Sequence, residues 1–277
     1  FGASVVVVEH RQALRRDVEV LLKSFEDDFL EKPAVLNEQE RRVAAKIKTK
    51  RIVHVGYTLL YARTFAYVKE ILASRRLGKV SGFAATFAHG EVLEAKRGWM
   101  FSEALAGGGV LMNPGPHLFA LLTWYFGKPQ RVTGQIAQRY SRQVEDEAEL
   151  NWHYPGYTGR LKLSWSKAGK VTPSYTMVIQ LAKGSIRVDT KQVTIKERGG
   201  RVNRLTFDEL PSPEGTYNLN PQANGEAYYL ESQAFLRAVR DKNRQAPNSL
   251  DLALASEASI FEAYQEARRK NAKTAER

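Results

Sequence analysis

An α/β region followed by an α+β region is the fold class this sequence predicts, and three observations predict it. Short apolar, β-branched runs alternate with helical patterns through the first quarter of the chain, the order of a parallel sheet covered by helices. From Lys79 onward the pattern changes to successive strand-like runs, many alternating apolar with polar, separated by turn residues. Two helical patterns then close the chain.

In the first region Ser4 to Val8 reads as a strand and Ala13 to Lys23 as a helix. Asp28 to Leu30 is extended and Asn37 to Lys48 helical. Arg51 to Gly56 is a third strand and Thr64 to Ser74 a third helix. This βαβαβα order is that of a partial Rossmann domain, placed at residues 1–76. Residues 77–277 form a large, mostly antiparallel open-sheet domain. Its strands run Lys79 to His89, Arg131 to Tyr140, Ala148 to His153, Gly159 to Ser166, Tyr175 to Leu181, Ser185 to Asp189 and Gln192 to Glu197. Glu226 to Arg240 and Leu250 to Lys270 are the closing helices, the second capped by Ser249, and both are expected to pack back on the first domain. Leu210 to Gly225, rich in Pro, Gly and Asn, reads as a long loop.

The 277 residues are 43% hydrophobic and 26% charged, which excludes disordered and fibrous classes. Charged residues interrupt every stretch long enough to span a membrane, no signal peptide can be read around the strand-like run Ser4 to Val8, and Phe1 is not expected to be the natural start. The absence of cysteine excludes disulfides, thiolate metal sites and a cysteine nucleophile, leaving the cytoplasm as the expected compartment. The net charge of +12 raises the question of nucleic acid. Its carriers are scattered, however, from Arg11, Arg15 and Arg16 to Arg268, Arg269 and Lys270, with no interleaved aromatic stripe, so nucleic acid is not expected as a partner.

Two segments carry chemistry. Glu31, Lys32 and Pro33 follow a predicted parallel strand, which puts a lysine at the carboxyl edge where open α/β sheets hold ligands. Taken alone, Lys32 reads more readily as a surface lysine before a strand-ending proline. The second segment is Gly107 to Gly127: Asn113 reads as an N-cap, Pro114 as the first helical residue and Gly127 as the stop. His117 then sits about one turn into an apolar helix, where the positive end of the helix dipole favours a neutral imidazole able to act as a base. The three glycines before it would let a ligand approach the backbone. A buried structural histidine is the competing reading. His54, His89 and His153 lack metal-ligand spacing with carboxylates, so no metal is expected.

Taken together, Glu31-Lys32-Pro33 and the Gly107-Gly108-Gly109 run through Asn113, Gly115 and His117 resemble the E-K-P and G-G-G-x-x-x-[DN]-x-G-x-H motifs of the glucose-fructose oxidoreductase and inositol dehydrogenase family. The resemblance extends through Val55-Gly56-Tyr57, Glu145-Asp146, Ser164-Trp165, and Glu231 with Phe235. Asn113 makes the chain most similar to members that oxidise UDP-N-acetylhexosamine-type sugars. The resemblance implies an NAD- or NADP-dependent oxidoreductase acting on a secondary alcohol of a sugar, nucleotide-sugar or cyclitol. It implies His117 as base, Lys32 as the cation facing the developing alkoxide, and Asn113 as the orienting residue. Glu31, Lys32, Pro33 and His10 would lie at the cofactor, and Tyr57, Asn113 and His117 at the substrate. It further implies a homodimer or homotetramer through the large sheet, with Trp165 or Met177 near its centre.

Three departures support an alternative, a catalytically inactive relative serving as a structural or assembly subunit. Ala120 stands where the family often has an acid, Leu60 stands near a common arginine, and no G-x-G-x-x-G fingerprint occurs in the chain. The adenosine-binding units are therefore expected to precede Phe1, as a further segment lying against Val5 to Val8.

Overall fold

The structure is a computed structural model that describes residues 5–8, 27–47, 51–94, 98–211, 225–242 and 246–275. The helix expected at Ala13 to Lys23, His10, and most of the loop after Leu210 lie outside the described residues. The first sheet holds β1 (Val5–Val8), β2 (Asp27–Leu30) and β3 (Val53–Val55), all parallel and in that order, with α1 (Glu38–Ala44) between the last two. Asn37 caps α1 by accepting from the Glu40 amide. Among the described residues β1 is an edge strand. A one-turn 3₁₀ segment, Thr58–Tyr61, leads from β3 into α2 (Arg63–Ser74).

The second sheet has eight strands. They are β4 (Val80–Ala88), β5 (Arg131–Ala137), β6 (Glu147–Tyr154), β7 (Tyr157–Ser164), β8 (Ser174–Leu181), β9 (Gly184–Asp189), β10 (Gln192–Glu197) and β11 (Val202–Thr206). Their order is β11-β10-β9-β8-β4-β7-β6-β5, and only β4 and β7 pair in parallel. The sequence pattern does not show β11, because its residues are mostly exposed and it joins the sheet through backbone pairing with β10. Between β4 and β5 lie the short helices α3 (Glu91–Glu94) and α4 (Glu103–Ala106), then α5 (Gly115–Phe126). The chain closes with α6 (Gly225–Asp241) and α7 (Leu250–Ala275), the latter started by Ser249, whose hydroxyl accepts from the Leu252 amide.

Register explains why the large sheet has one apolar face. Leu150, Leu161, Ala85, Met177, Val188 and Val193 form a straight cross-strand row through six strands, and all six are buried. One residue along each strand, the parallel row is Asn151, Arg160, Ala84, Val178, Arg187 and Thr194, in which both arginines are exposed. The period of two separates the rows to opposite faces. Helix α5 covers the apolar face, with Phe119 edge-on to Trp152 and Phe126 stacked on Phe83. The expected place of Trp165 or Met177 near the centre of a contact through the sheet is thereby corrected. Trp165 and Met177 are buried within the chain itself, Trp165 against Phe101, and neither is available at the centre of a contact between copies. Among the described residues no helix is long and apolar enough to cross a membrane.

Helix α6 lies against the opposite side of the small sheet, where Phe235 meets Phe29 and His54 edge-on. It also carries Glu231, a buried carboxyl of which one oxygen accepts from Thr58 at 3.3 Å and the other has no partner. Burial pushes this carboxyl up to about 8. A folded-state value above the unfolded one makes its contribution to stability complete below the ordinary glutamate range, and that contribution is lost as pH rises through about 8. His54, pushed down to about 4 by burial, acts in the opposite sense only at more acid pH. The melting temperature should therefore fall between about pH 6.5 and 8, and fall less in Glu231→Gln. Parallel melting curves for the two proteins across that window would contradict the assignment.

Candidate active site

Lys32 stands at the carboxyl end of β2, followed by Pro33 through a cis peptide bond. Its ammonium donates to the Asn113 carbonyl at 2.8 Å and to the Asn113 side-chain oxygen at 3.3 Å. The strand end of the first sheet and the segment entering α5 therefore meet. Desolvation of the amine lowers Lys32 to about 8, with Glu31 acting in the opposite direction. Loss of hydration outweighs the neighbouring carboxylate.

Helix α5 begins one residue later than the sequence suggests. Pro114 occupies the cap position with no side-chain cap, Gly115 is the first helical residue, and Gly127 ends the helix at φ 75°. Asn113 is not the N-cap because its side chain is turned to Lys32. His117 is the third helical residue, its ring standing between the edges of Tyr57 and Tyr175 with centroids 6.4 Å away on each side. Its Nδ1 is buried and has no hydrogen-bond partner. The imidazole is held well below its ordinary pKa, first by desolvation and then by the Lys32 charge. The direction is the one the helix position predicts, and its cause is desolvation together with the Lys32 charge.

The three glycines also have a different purpose from the one expected. Gly107 has φ 75° and ends α4. A Cβ on Gly108 would lie 2.0 Å from the Tyr264 hydroxyl, and one on Gly109 would lie 1.9 Å from the Glu145 carbonyl oxygen. The close approach is made by the chain's own packing rather than by a ligand.

Two buried carboxylates organise these segments. Glu145 accepts from the Gly109 amide at 3.0 Å and the Leu111 amide at 2.9 Å, while its backbone carbonyl accepts from Val110 at 2.9 Å. Three successive amides are thus satisfied by one residue. The Tyr264 hydroxyl donates to the same Glu145 carboxylate at 2.7 Å. Glu257 accepts from the amides of Ala34 at 2.7 Å and Val35 at 3.1 Å, and from the Tyr57 hydroxyl at 2.8 Å. Burial raises Glu257 to about 7, against the lowering effect of those donors. Tyr57 is fully buried, with its hydroxyl committed to Glu257 and its ring edge toward His117.

Lys32, Asn113, His117 and Tyr57 are therefore brought together, whereas His10 is outside the described residues. Glu257 and Tyr264 escaped sequence reasoning. Their only sequence signal is a pair of polar residues two helical turns apart on the face of a closing helix that buries Ala253, Ile260 and Ala267.

Residues 65–187 match the GFO/IDH/MocA C-terminal domain. The match takes in most of α2, most of the large sheet, Asn113 and His117. An uncharacterized protein of Schizosaccharomyces pombe, UNK4.17, is 34% identical over 112 residues, which are 39% of this chain and 26% of that protein, so the matched part spans about a quarter of its relative. Solved structures share the fold at low identity. A levoglucosan dehydrogenase in complex with NADH and levoglucosan superposes with a TM-score of 0.82 at 15% identity, over 96% of this chain and 78% of that one. An NAD-binding oxidoreductase from Klebsiella pneumoniae gives 0.77 at 14%, over 88% and 72%. GenD2, from gentamicin A biosynthesis and bound to NAD, gives 0.67 at 23%, over 87% and 69%. A small parallel sheet followed by a large, mostly antiparallel one, the fold shared with these solved structures, is thereby shown for this chain.

The packing at Gly109 sets a test of the segment that delivers Asn113 and His117. Gly109→Ala should lower the melting temperature by several degrees, since the Glu145 carbonyl cannot yield without releasing the Val110 amide. Gly199→Ala, at a glycine with open space around it, should melt like the parent. Equal melting of all three proteins would show that the loop is not held as described.

Proposed function

We propose that this chain carries the alcohol-binding part of an NAD(P)-dependent oxidoreductase moving a hydride between nicotinamide and a secondary alcohol of a sugar, nucleotide-sugar or cyclitol. The observation that carries the reading is the contact of Lys32 with Asn113, which sets an amine beside His117 at the carboxyl edge of a parallel sheet. NAD is favoured over NADP by the NADH and NAD complexes among proteins of the same fold.

These residues suit the nicotinamide end of such a cofactor: Glu31, Lys32 and Pro33 lie at the strand end, and the Lys32 amine is desolvated by burial and bonded to Asn113. When bound, nicotinamide supplies the hydride acceptor. His117, neutral at physiological pH and with Nδ1 already buried, offers Nε2 to the alcohol proton. Lys32 donates a charge-assisted hydrogen bond to the oxygen as it becomes an alkoxide. Asn113 keeps the amine on that line. Tyr57 shapes the wall behind His117 and leaves direct substrate contact to the others.

Self-association belongs to the same reading. The outer sheet face carries Ala84, Thr86, Thr176 and Val178 beside the exposed Arg160 and Arg187, and it is the surface we assign to isologous closure on a second copy. A strictly monomeric mass by light scattering at micromolar concentration would remove that part of the proposal.

An inactive assembly subunit is the second reading. It is favoured by the unpartnered Nδ1 of His117, since with Ala120 one turn further along the helix nothing shown stabilises the imidazolium that proton transfer would create. NADH formation at 340 nm, with NAD and NADP tried separately on sugars, cyclitols and UDP-N-acetylhexosamines, separates the two. Turnover that falls roughly 10² to 10⁴-fold in His117→Ala supports the enzyme. No turnover with any of these alcohols supports the subunit. In the active case kcat/KM should decline as pH rises through about 8, where Lys32 loses its proton, and the acid limb should lie well below the ordinary histidine range. An alkaline limb that is unchanged in Lys32→Arg would assign it elsewhere.

A further inference from the structure

We infer that α7 is the positioning element of the Lys32, Asn113 and His117 cleft, with Glu257 holding the loop after Lys32 and Tyr264, through Glu145, holding the loop before Asn113. The inference deepens the proposed function and rests on that reading for its catalytic meaning; its structural content stands on geometry alone.

Glu257 and Tyr264 lie seven residues apart in one continuous helix, so both project from the same face, two turns from one another. Each reaches a different catalytic segment. Glu257 binds Ala34 and Val35, the two residues that follow Pro33, and thus sets where the chain leaves Lys32. It also takes the Tyr57 hydroxyl, and the Tyr57 ring stands against His117. Tyr264 binds the carboxylate of Glu145, which in turn clamps the amides of Gly109 and Leu111 just ahead of Asn113. The Gly109 carbonyl then accepts from the amides of both Met112 and Asn113, so the clamp is continuous with the residue that holds Lys32.

The two anchor points are thus on one rigid body, whereas the groups they anchor come from different sheets. A helix holds its own residues at fixed separation through its backbone hydrogen bonds, so the separation of the two loops is inherited from α7. The helix makes this connection entirely within the protein: the Glu257 carboxylate has no exposure to solvent and is aimed at backbone amides, not at the cleft. Burying a carboxylate among its own donors is costly unless those donors stay in place, which is how one residue can enforce a loop conformation.

The titration of Lys32 tests this without depending on activity. The full chain is reductively ¹³C-methylated, and the Lys32 signal is identified by its loss in Lys32→Arg. Loss of the Glu257 charge with the geometry intact could move the Lys32 titration only down, because negative charge favours the protonated amine. Releasing the loop, which lets water reach the amine, moves it up toward ordinary lysine. The expected result is an upward shift of one pH unit or more in Glu257→Gln and a smaller upward shift in Tyr264→Phe, which deletes one hydroxyl. A downward or absent shift in both would overturn the inference. Should Glu257→Gln fail to fold, Tyr264→Phe alone decides: an upward shift sustains the linkage and an unmoved signal removes it. In an active protein the same variants should lower kcat more than they raise KM. Upward shifts in a protein with no dehydrogenase activity would sink the functional reading and leave the positioning role standing.

Discussion

The cleft depends on backbone amides that have left water and must be satisfied by carboxylates that have left it too. Ala34 and Val35 on one side, and Gly109 and Leu111 on the other, lie in loops where no helix or ladder partner is available to them. Glu257 and Glu145 supply the acceptors. An unsatisfied buried amide costs about 1 to 3 kcal/mol, so four such groups together are comparable to a large part of a domain's net stability. The loops therefore have little freedom to take another path while α7 is in place.

The electrostatics of the cleft follow from this fixed geometry. Lys32 and His117 are both cationic when protonated, and both are deprived of water. Desolvation lowers each, and the Lys32 charge lowers His117 further. The outcome is an asymmetric pair, the imidazole neutral and the amine still protonated near neutrality. That division of states is the one an alcohol oxidation uses, a base beside a hydrogen-bond donor, and it comes from depth and proximity alone. Among the described residues the Nδ1 of His117 and one oxygen of Glu231 are buried polar atoms left without a partner.

The large sheet contributes rigidity at a distance. Its apolar face is filled by α5, so the helix that carries His117 is fixed along its length by rings such as Phe119 on Trp152 and Phe126 on Phe83. A histidine in the first turn of a helix docked this firmly has its position set by core packing, with side-chain rotation as the main freedom left. Asn113, one residue before the helix cap, is held between that docked helix and the Glu145 clamp.

Much of this was legible in the residues. Periodicity placed seven of the eight strands of the large sheet to within three residues at each end, because a face that must be buried imposes alternation on the strands that share it. Glycine at Gly127 and the cap at Ser249 marked helix ends by local chemistry, and the spacing of Glu31-Lys32-Pro33 and of Gly107 to His117 pointed to the two segments that meet. Local reasoning failed where a residue's partner lies far along the chain. Asn113 looked like a cap because Asn before Pro usually is one, yet Lys32 claims its side chain. The glycines looked like room for a ligand, yet Glu145 and Tyr264 occupy that room. β11 has no pattern because its pairing is carried by backbone, and Glu257 has no motif because its partners are amides, which every residue possesses. What the sequence by itself determined is the set of elements and the identity of the reactive side chains, since both are written in local periodicity and residue type. What only the tertiary structure decided is which buried acceptor satisfies which loop, because hydrogen bonding between residues 34 to 223 positions apart leaves no trace in the spacing of either partner.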